Sequence, residues 1–334
     1  MNIILPVAGK GTRLRPHTHS KSKCLIQVAG KTVLEHILDS LHDISGEKKY
    51  IFVTDRDNGD SIRYFMKKKY PSLSCTFAEQ TERLGPAHAV WLAADSVNQS
   101  EDLLIVFNDT ICFTELSDID TLCSGYDGLI FSKEVENPER FGVSIIEDGI
   151  IADMIEKPDS PVSNLAQVGL YYMKDSRRFL EYVERSIRED KKVKGEFYLP
   201  EVFKTMIREG HRFGAPLVRE WLDCGVPETL LETNRILLGR MPVSSKINES
   251  NIIIPPVFID ENADVMNSVI GPNVSIGSNC EIKNSIIRNT IINSNSIISD
   301  DILTDSLIGE SVVLKGQAKQ LNVGDNSQLI WGDL

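Results

Sequence analysis

Between residues 259 and 313 an aliphatic side chain returns every five or six positions, at 259, 265, 270, 276, 282, 287, 292, 298, 303, 308 and 313. No other feature of the chain narrows its fold as far. A helix would bring the same face round every 3.6 residues and a plain strand every 2, so neither carries this spacing. A period near six fits one flat wall of a three-sided parallel β-helix, in which each wall buries one inward residue. Short copies mark the walls: Ser268-Val269-Ile270, Ser285-Ile286-Ile287, Thr290-Ile291-Ile292, Ser296-Ile297-Ile298 and Ser306-Leu307-Ile308. Helix formers thin out over the same stretch, and Asn, Ser and Asp take their place. At roughly 18 residues per turn the stretch allows about four turns. Met241 to Ser245 and Pro255-Pro256 mark the junction with what precedes it. From Gln317 to Leu334 the period is lost; Leu329-Ile330-Trp331 offers either a cap for the last rung or a segment that docks elsewhere.

The front of the chain has another texture. Ile3 to Val7 reads as a short apolar strand. Val33, Leu34, Ile37, Leu38, Leu41 and Ile44 recur at helical spacing. Tyr50 to Val53 reads as a strand, Ser61 to Lys69 as a helix and Ser74 to Phe77 as a strand. Pro86 to Ala94 reads as a helix with proline in its first turn, and Leu103 to Phe107 as a buried strand. This alternation predicts an α/β domain, a mostly parallel sheet with helices on both faces. A chain of 334 residues also exceeds what one compact core usually needs. Two domains are therefore expected, 1–243 and 244–334.

The formal net charge of -12 argues against a general nucleic-acid binder. The opening residues do not read as a signal peptide, and no run approaches the ~20 apolar residues of a membrane helix. The six cysteines form no C-x-x-C pair, which suits a reduced, cytoplasmic protein. Against the acidic background, the first 23 residues hold five basic side chains and no acidic one. Lys10, Arg13, Arg15, Lys21 and Lys23 surround a glycine turn, Gly9-Lys10-Gly11, that follows the first strand. The bulk field repels a polyanion, so a basic island at such a turn points to local capture of phosphates by backbone N–H groups and cations. G-K-G alone is also a common small turn. It completes neither the G-x-x-x-x-G-K-[ST] loop nor the G-x-G-x-x-G fingerprint, whose third glycine position is Leu14 here.

The whole stretch is more specific. P-V-A-G-K-G-T-R-L-R-P, followed by S-K-C-L-I-Q-V-A-G-K-T-V-L-E-H-I-L, resembles the signature of the sugar-1-phosphate nucleotidyltransferases. The resemblance runs through the first ~240 residues. Glu79-Gln80 with Leu84-Gly85-Pro86-Ala87-His88-Ala89 resembles the family's base-binding segment. Asn108-Asp109 stands where the family has Gly-Asp. Phe141-Gly142-Val143, Glu156-Lys157-Pro158, Gly195-Glu196-Phe197-Tyr198 and Trp221-Leu222-Asp223-Cys224-Gly225 resemble its further elements, in its order. The resemblance implies a Rossmann-like nucleotide-diphospho-sugar transferase domain followed by a short left-handed parallel β-helix. It also implies roles. Ala8, Gly9, Gly11, Thr12 and Arg13 would hold the triphosphate, with Lys23 on phosphates and Gln80 and Gly85 on the base. Asp109 and Asp223 would bind Mg²⁺. Glu156 and Glu196 would hold sugar hydroxyls in a pocket shared with Gly142 and Gly169, and Lys157 the sugar phosphate. Arg13 and Lys23 would be the catalytic cations.

Such an enzyme joins two polyanions, an NTP (dTTP or UTP) and a sugar-1-phosphate such as glucose-1-phosphate, and releases pyrophosphate. The attacking phosphate is already ionised, so positioning and charge neutralisation carry the catalysis. Two aspartates suffice for a hard cation that keeps waters and phosphate ligands. Arg13 suits forked contacts with phosphate, Lys23 a point contact. Asn108, Ser22, Gln27 and Pro86 depart from the family's pattern, which leaves base preference open. Asp55-Arg56-Asp57 spells the D-x-D of metal-dependent glycosyltransferases but reads better as a solvated loop, and His17-x-His19 lacks a third ligand. A non-catalytic regulator or scaffold is the other alternative, disfavoured because both cations and both acids are present. All six histidines precede the repeat. The β-helix is therefore expected to be structural, packing subunits into a homo-oligomer.

Overall fold

The computed structural model describes residues 1–57, 59–160, 162–242 and 250–316. It divides into two compact units, Met1–Thr233 and Asn234–Leu334. The expected boundary after residue 243, and the apolar segment near residue 330, lie outside the described residues.

The first unit follows the predicted alternation. Its strands are β1 (Asn2–Pro6), β2 (Gln27–Val28), β3 (Lys31–Thr32), β4 (Lys49–Thr54), β5 (Ser74–Glu79), β6 (Leu103–Val106), β7 (Thr110–Phe113), β8 (Gly128–Glu134), β9 (Gly142–Glu147), β10 (Ile150–Glu156), β11 (Leu165–Met173), β12 (Phe213–Gly214) and β13 (Glu220–Asp223). Helices α1 (Val33–Ser40), α2 (Gly59–Lys69), α3 (Pro86–Ala93), α4 (Ile119–Leu122), α5 (Ser176–Arg188) and α6 (Leu199–Arg208) connect or follow them, and α7 (Pro227–Leu238) begins in this unit. Local chemistry sets several ends. Thr32 and Glu35 form a reciprocal capping box that starts α1. That helix stops at Ser40; Leu41 and Ile44 stay buried in the turns beyond it, so the apolar spacing outruns the helix.

The main sheet runs β10-β9-β11-β6-β1-β4-β5, with β8 joined to β11 and β12. Its continuous parallel part is β6-β1-β4-β5, and the short β12 adds one more parallel pair beside β8. The other half is antiparallel, because β9 and β10 are a hairpin closed at Asp148-Gly149, both with positive φ. Ile3, Ile4 and Leu5 are all fully buried, as are Ile51, Phe52 and Val53. Successive strand residues face opposite sides, so both faces of the parallel part are covered. One face packs Ile4, Ile51, Val53 and Ile105 against Val90 of α3, Phe179 of α5 and Phe203 of α6. The chain winds outward from β1 through β4 to β5, then returns to the other side of β1 as β6. That reversal opens a crevice beyond the carboxyl ends of β1 and β6.

The second unit is a three-walled parallel β-helix of four turns. Its first wall stacks Ile252–Ile253, Val269–Ile270, Ile286–Arg288 and Ile302–Thr304; the other two are built alike. Ile270, Ile276, Ile282, Ile287 and Ile298 are fully buried in its single core. The corners explain the sequence texture. Asn267, Asn273, Asn279, Asn284, Asn289, Asn295, Asp300, Asp305 and Ser311 all have positive φ, which Asn and Asp tolerate better than other side-chain-bearing residues. Asn284 accepts from Asn267 and donates to Asp300, so a corner column is tied side chain to side chain. The Ser or Thr that follows a corner closes it: Ser268, Ser285, Thr290 and Ser306 each donate to the carbonyl two residues back.

Two details differ from the sequence reading. Ile253 stacks on Ile270 and Ile270 on Ile287 at steps of 17, then Ile287 on Leu303 at a step of 16, shorter than the 18 of three six-residue walls. The last inward residue is Leu314, stacked on Ile298, while Val313 points out and is 57% exposed. The corner at Ser311 keeps the wall before it at six residues, one more than the sequence spacing suggested. Among the described residues no helix is long and apolar enough to cross a membrane.

Candidate active site

Most of the residues singled out by sequence line two adjoining cavities in the crevice beyond β1 and β6, while Gly11, Thr12 and Lys23 stand outside both linings. The first, of about 340 Å³, is lined by Ala8, Gly9, Lys10, Gln80, Arg83, Gly85, Pro86, Asn108, Asp109 and Glu196. The second, of about 220 Å³, is lined by Arg13, Asp109, Arg140, Gly142, Glu156, Lys157, Gly169, Tyr171, Trp221 and Asp223. Phe107 and Asp109 border both. The groups expected for nucleotide and for sugar phosphate thus separate into neighbouring halves. Arg13, expected on the triphosphate, lines the second half. Glu196 is the other exception. It lies in the first half, against Gly85, yet near enough to Glu156 to disfavour that residue's charge. A larger cavity of about 690 Å³, lined by Trp91, Arg177 and Glu184, holds none of the expected groups and no glycine.

The glycine loop leaves β1 at Pro6. Nothing stands within 4 Å of where a Cβ would sit on Gly9, so that backbone is open to close approach. Gly11 has φ +56, and a side chain there would crowd Thr18 and Lys23. Thr18 fixes the turn by donating its hydroxyl to the Gly11 carbonyl at 2.8 Å. Thr12–Leu14 then form a short 3₁₀ turn that leaves Thr12 and Arg13 exposed. Gly85 has φ +95, and a Cβ would lie 2.6 Å from the Phe197 carbonyl oxygen. Leu84 and Ala87 are hydrogen-bonded to the Phe197 backbone at 2.7 and 3.0 Å, so this segment runs along the Glu196-Phe197 backbone at a distance only glycine permits. Gly142 and Gly169 serve the second half in the same way, the first beside the Glu156 carboxylate, the second beneath the Phe107 ring.

Charge concentrates where the halves meet. Lys23 donates to Asp109 Oδ2 at 2.6 Å. Burial works to raise the Asp109 carboxyl, but Lys23 and then Arg13 outweigh it and hold it below the ordinary carboxylate range. Asp223 goes the other way. Burial first, and then repulsion from Asp109, push it up, although Gly225 N–H donates to its Oδ1 at 2.8 Å. Antiparallel pairing of β13 with β7, extended by Cys224 N–H to the Asp109 carbonyl, fixes the two acids side by side. Two facing carboxylates with hard oxygen donors fit a divalent cation that takes its other ligands from phosphate and water. No cluster of three or more ligating side chains occurs among the described residues. Glu156 is pushed up by burial, partly offset by Lys157, whose Nζ is 3.7 Å away.

The structure corrects one reading and adds two residues. Asp55 is not a solvated loop acid. It is buried and paired with Arg83 at 2.8 Å, while only Asp57 is well exposed. The D-x-D reading loses its first ligand to that arginine. Arg83 also donates to the Ala8 carbonyl at 3.2 Å, tying the glycine loop to the base-side segment. His88 is the second addition. It is buried behind Gln80, with its Nδ1 3.0 Å from the Gln80 amide nitrogen. Neither could be found by spacing, since both act through residues distant in sequence or on the inner face of α3.

A family model described as nucleotidyl transferase matches residues 1–239, a span that contains every candidate residue. The chain belongs to the nucleotidyl transferase family. A GlmU-like C-terminal hexapeptide model matches residues 233–307, in keeping with the left-handed β-helix. The bifunctional protein GlmU of Methanocaldococcus jannaschii is 34% identical over 266 residues, 79% of this chain and 61% of that protein. The present chain therefore spans about three fifths of that relative. UTP–glucose-1-phosphate uridylyltransferase AglF of Haloferax volcanii is 32% identical over 237 residues, 68% of this chain and 93% of AglF. Among solved structures, UDP-glucose pyrophosphorylase complexed with UDP-glucose matches with a TM-score of 0.62 at 21% identity, covering 72% of this chain and 99% of that one. At that identity the likeness is one of fold.

Proposed function

We propose that this protein transfers a nucleotidyl group from dTTP or UTP to a sugar-1-phosphate, with glucose-1-phosphate the first acceptor to test. The observation that carries the reading is the meeting of Lys23, Arg13, Asp109 and Asp223 where the two cavities join. A non-bridging oxygen of the sugar phosphate attacks the α-phosphorus of the NTP. The bond from that phosphorus to the bridging oxygen breaks, and pyrophosphate leaves with the electron pair. The nucleophile is anionic at neutral pH, so no side chain need remove a proton.

The chain's groups then divide the work. Gly9 and Gly11 let the polyphosphate lie against backbone. Arg13 and Lys23 offset its charge and stabilise the departing pyrophosphate. Gln80 and Gly85 hold the base; Lys157 neutralises the sugar phosphate, and Glu156 accepts from sugar hydroxyls, with Glu196 placed to do so from the opposite half. Asp109 and Asp223 would hold Mg²⁺, which when bound supplies Lewis-acid polarisation of the reacting phosphate. AglF, named for UTP and glucose-1-phosphate, supports the choice of substrates. The relative GlmU is named bifunctional. The β-helix of this chain carries no histidine to activate an acyl acceptor, so we confine the proposal to nucleotidyl transfer. We assign the β-helix a structural role in a homo-oligomer. The six free cysteines suit a reducing, cytoplasmic setting.

The test is a pyrophosphate-release grid of each NTP against several sugar-1-phosphates, with and without Mg²⁺. Release from dTTP or UTP with one or more of the acceptors, abolished by chelation, is expected. Release from no pair would overturn the reading.

A further inference from the structure

Gln80 is buried, with Gly85 and Pro86 beside it along the wall of the first cavity. Its amide nitrogen makes two contacts, to the Gly85 carbonyl at 3.1 Å and to His88 Nδ1 at 3.0 Å. A carbonyl can only accept, so the contact with Gly85 fixes which end of the amide is nitrogen. An amide nitrogen brings two protons and no lone pair for bonding, so His88 Nδ1 must accept the second. Both donors of Gln80 are then consumed inside the protein. What remains for the cavity is the carbonyl oxygen Oε1, an acceptor.

His88 is held in the matching state. Burial first, and Lys192 further, lower its basicity against the opposing pull of Glu82, which favours the neutral ring. Its ring lies between Trp91 and Phe197, at centroid distances of 5.6 and 6.5 Å, which limits rotation. Pro86 adds to the bias, because a proline in this segment brings no N–H of its own to the cavity.

We infer that His88 is a positioning residue that makes the Gln80 side chain an acceptor-only reader of the base. This rests on the proposed role of Gln80 at the base. A base seated there must bring a ring N–H, as uracil, thymine and guanine do. Cytosine and adenine present a ring-nitrogen lone pair at the corresponding edge, which would face Oε1 with like polarity. A site built around one such hydrogen bond discriminates far better than an apolar slot of the same shape.

The experiment measures UTP and CTP binding by calorimetry, and KM for UTP and for the sugar-1-phosphate, in wild type, His88→Leu and His88→Asn. Wild type should bind UTP at least about 100-fold tighter than CTP. Leucine removes the acceptor, so the preference should shrink about ten-fold, through weaker UTP binding, with KM for the sugar-1-phosphate little changed. The asparagine carbonyl can stand where Nδ1 stood and should restore most of the preference. An unchanged UTP/CTP ratio in His88→Leu would overturn the inference. So would an equal rise in KM for both substrates, the mark of general damage. If wild type binds UTP but releases no pyrophosphate with any acceptor, the proposed transfer fails, while the calorimetric ratio still decides the role of His88. Failure to bind any NTP would overturn both.

Discussion

The β-helix and the sheet unit solve the problem of specifying a fold in opposite ways. In the β-helix each residue's duty follows from its phase: positive-φ Asn at the corner, Ser or Thr to close it, one aliphatic residue out and one in. From Asn267 onward the corners repeat this pattern with few changes, so one rule accounts for most of the coil. In the sheet unit the decisive contacts join residues that no local rule relates. Lys23 meets Asp109 across 86 positions, and Arg83 meets Ala8 across 75. The contrast teaches where chemistry can be housed. A repeat offers the same environment at each rung; only a crossing of distant segments, at the reversal between β1 and β6, creates a unique one.

The contrast can be broken most severely at Asp223. Replacing it with alanine should lower Mg²⁺-dependent pyrophosphate release by about 1,000-fold or more, because half of the cation site is lost. The melting temperature should hold, since burial and repulsion already raise this carboxyl. Near-normal activity would sink the metal assignment. The reverse experiment is Ile287→Ala in the β-helix core, where a buried side chain is lost from a stacked column. About 2–5 kcal/mol of stability should go with it, read by denaturant melts, while activity per folded molecule stays. Loss of turnover without loss of stability would show that the repeat does chemistry after all.

Smaller effects sharpen the division within the site. Lys157→Ala should raise KM for the sugar phosphate about ten-fold, with little effect on KM for the NTP. The opposite split in steady-state kinetics would move Lys157 out of the sugar half. Smallest of all is Asn284→Ala, which places alanine at φ +50 and removes the links to Asn267 and Asp300. A loss of about 1–2 kcal/mol in thermal melts is expected. No loss at all would mean the corners, unlike the walls, do not specify the repeat.

Legibility in the sequence followed the same division. The β-helix was readable almost to the residue because its period survives in one dimension; it failed at position 313, where wall length departs from the simple spacing. In the sheet unit the strands and helices as far as β6, except the short β2-β3 pair, were readable from apolar spacing. The antiparallel half was not, because Asp148-Gly149 announces a hairpin but not its place in a sheet. The candidate residues came from the resemblance, and the fold gathers most of them into one crevice. His88 and Arg83 were missed for a physical reason. Their partners are a buried amide for His88 and a buried carboxylate and a backbone carbonyl for Arg83, and such pairings leave no trace in composition or period.

The uneven corners of the β-helix have one more consequence. Successive positive-φ positions show that the second wall keeps six residues per turn and the third keeps five, while the first shortens from six to five after Gly271-Pro272. The stacked pairs nevertheless stay in register above and below that change. Such a coil counts walls, not residues. A residue gained or lost at a corner is absorbed where it occurs, whereas the same change inside a strand would turn an inward isoleucine to solvent. The repeat can therefore drift in length over evolutionary time without losing its thread.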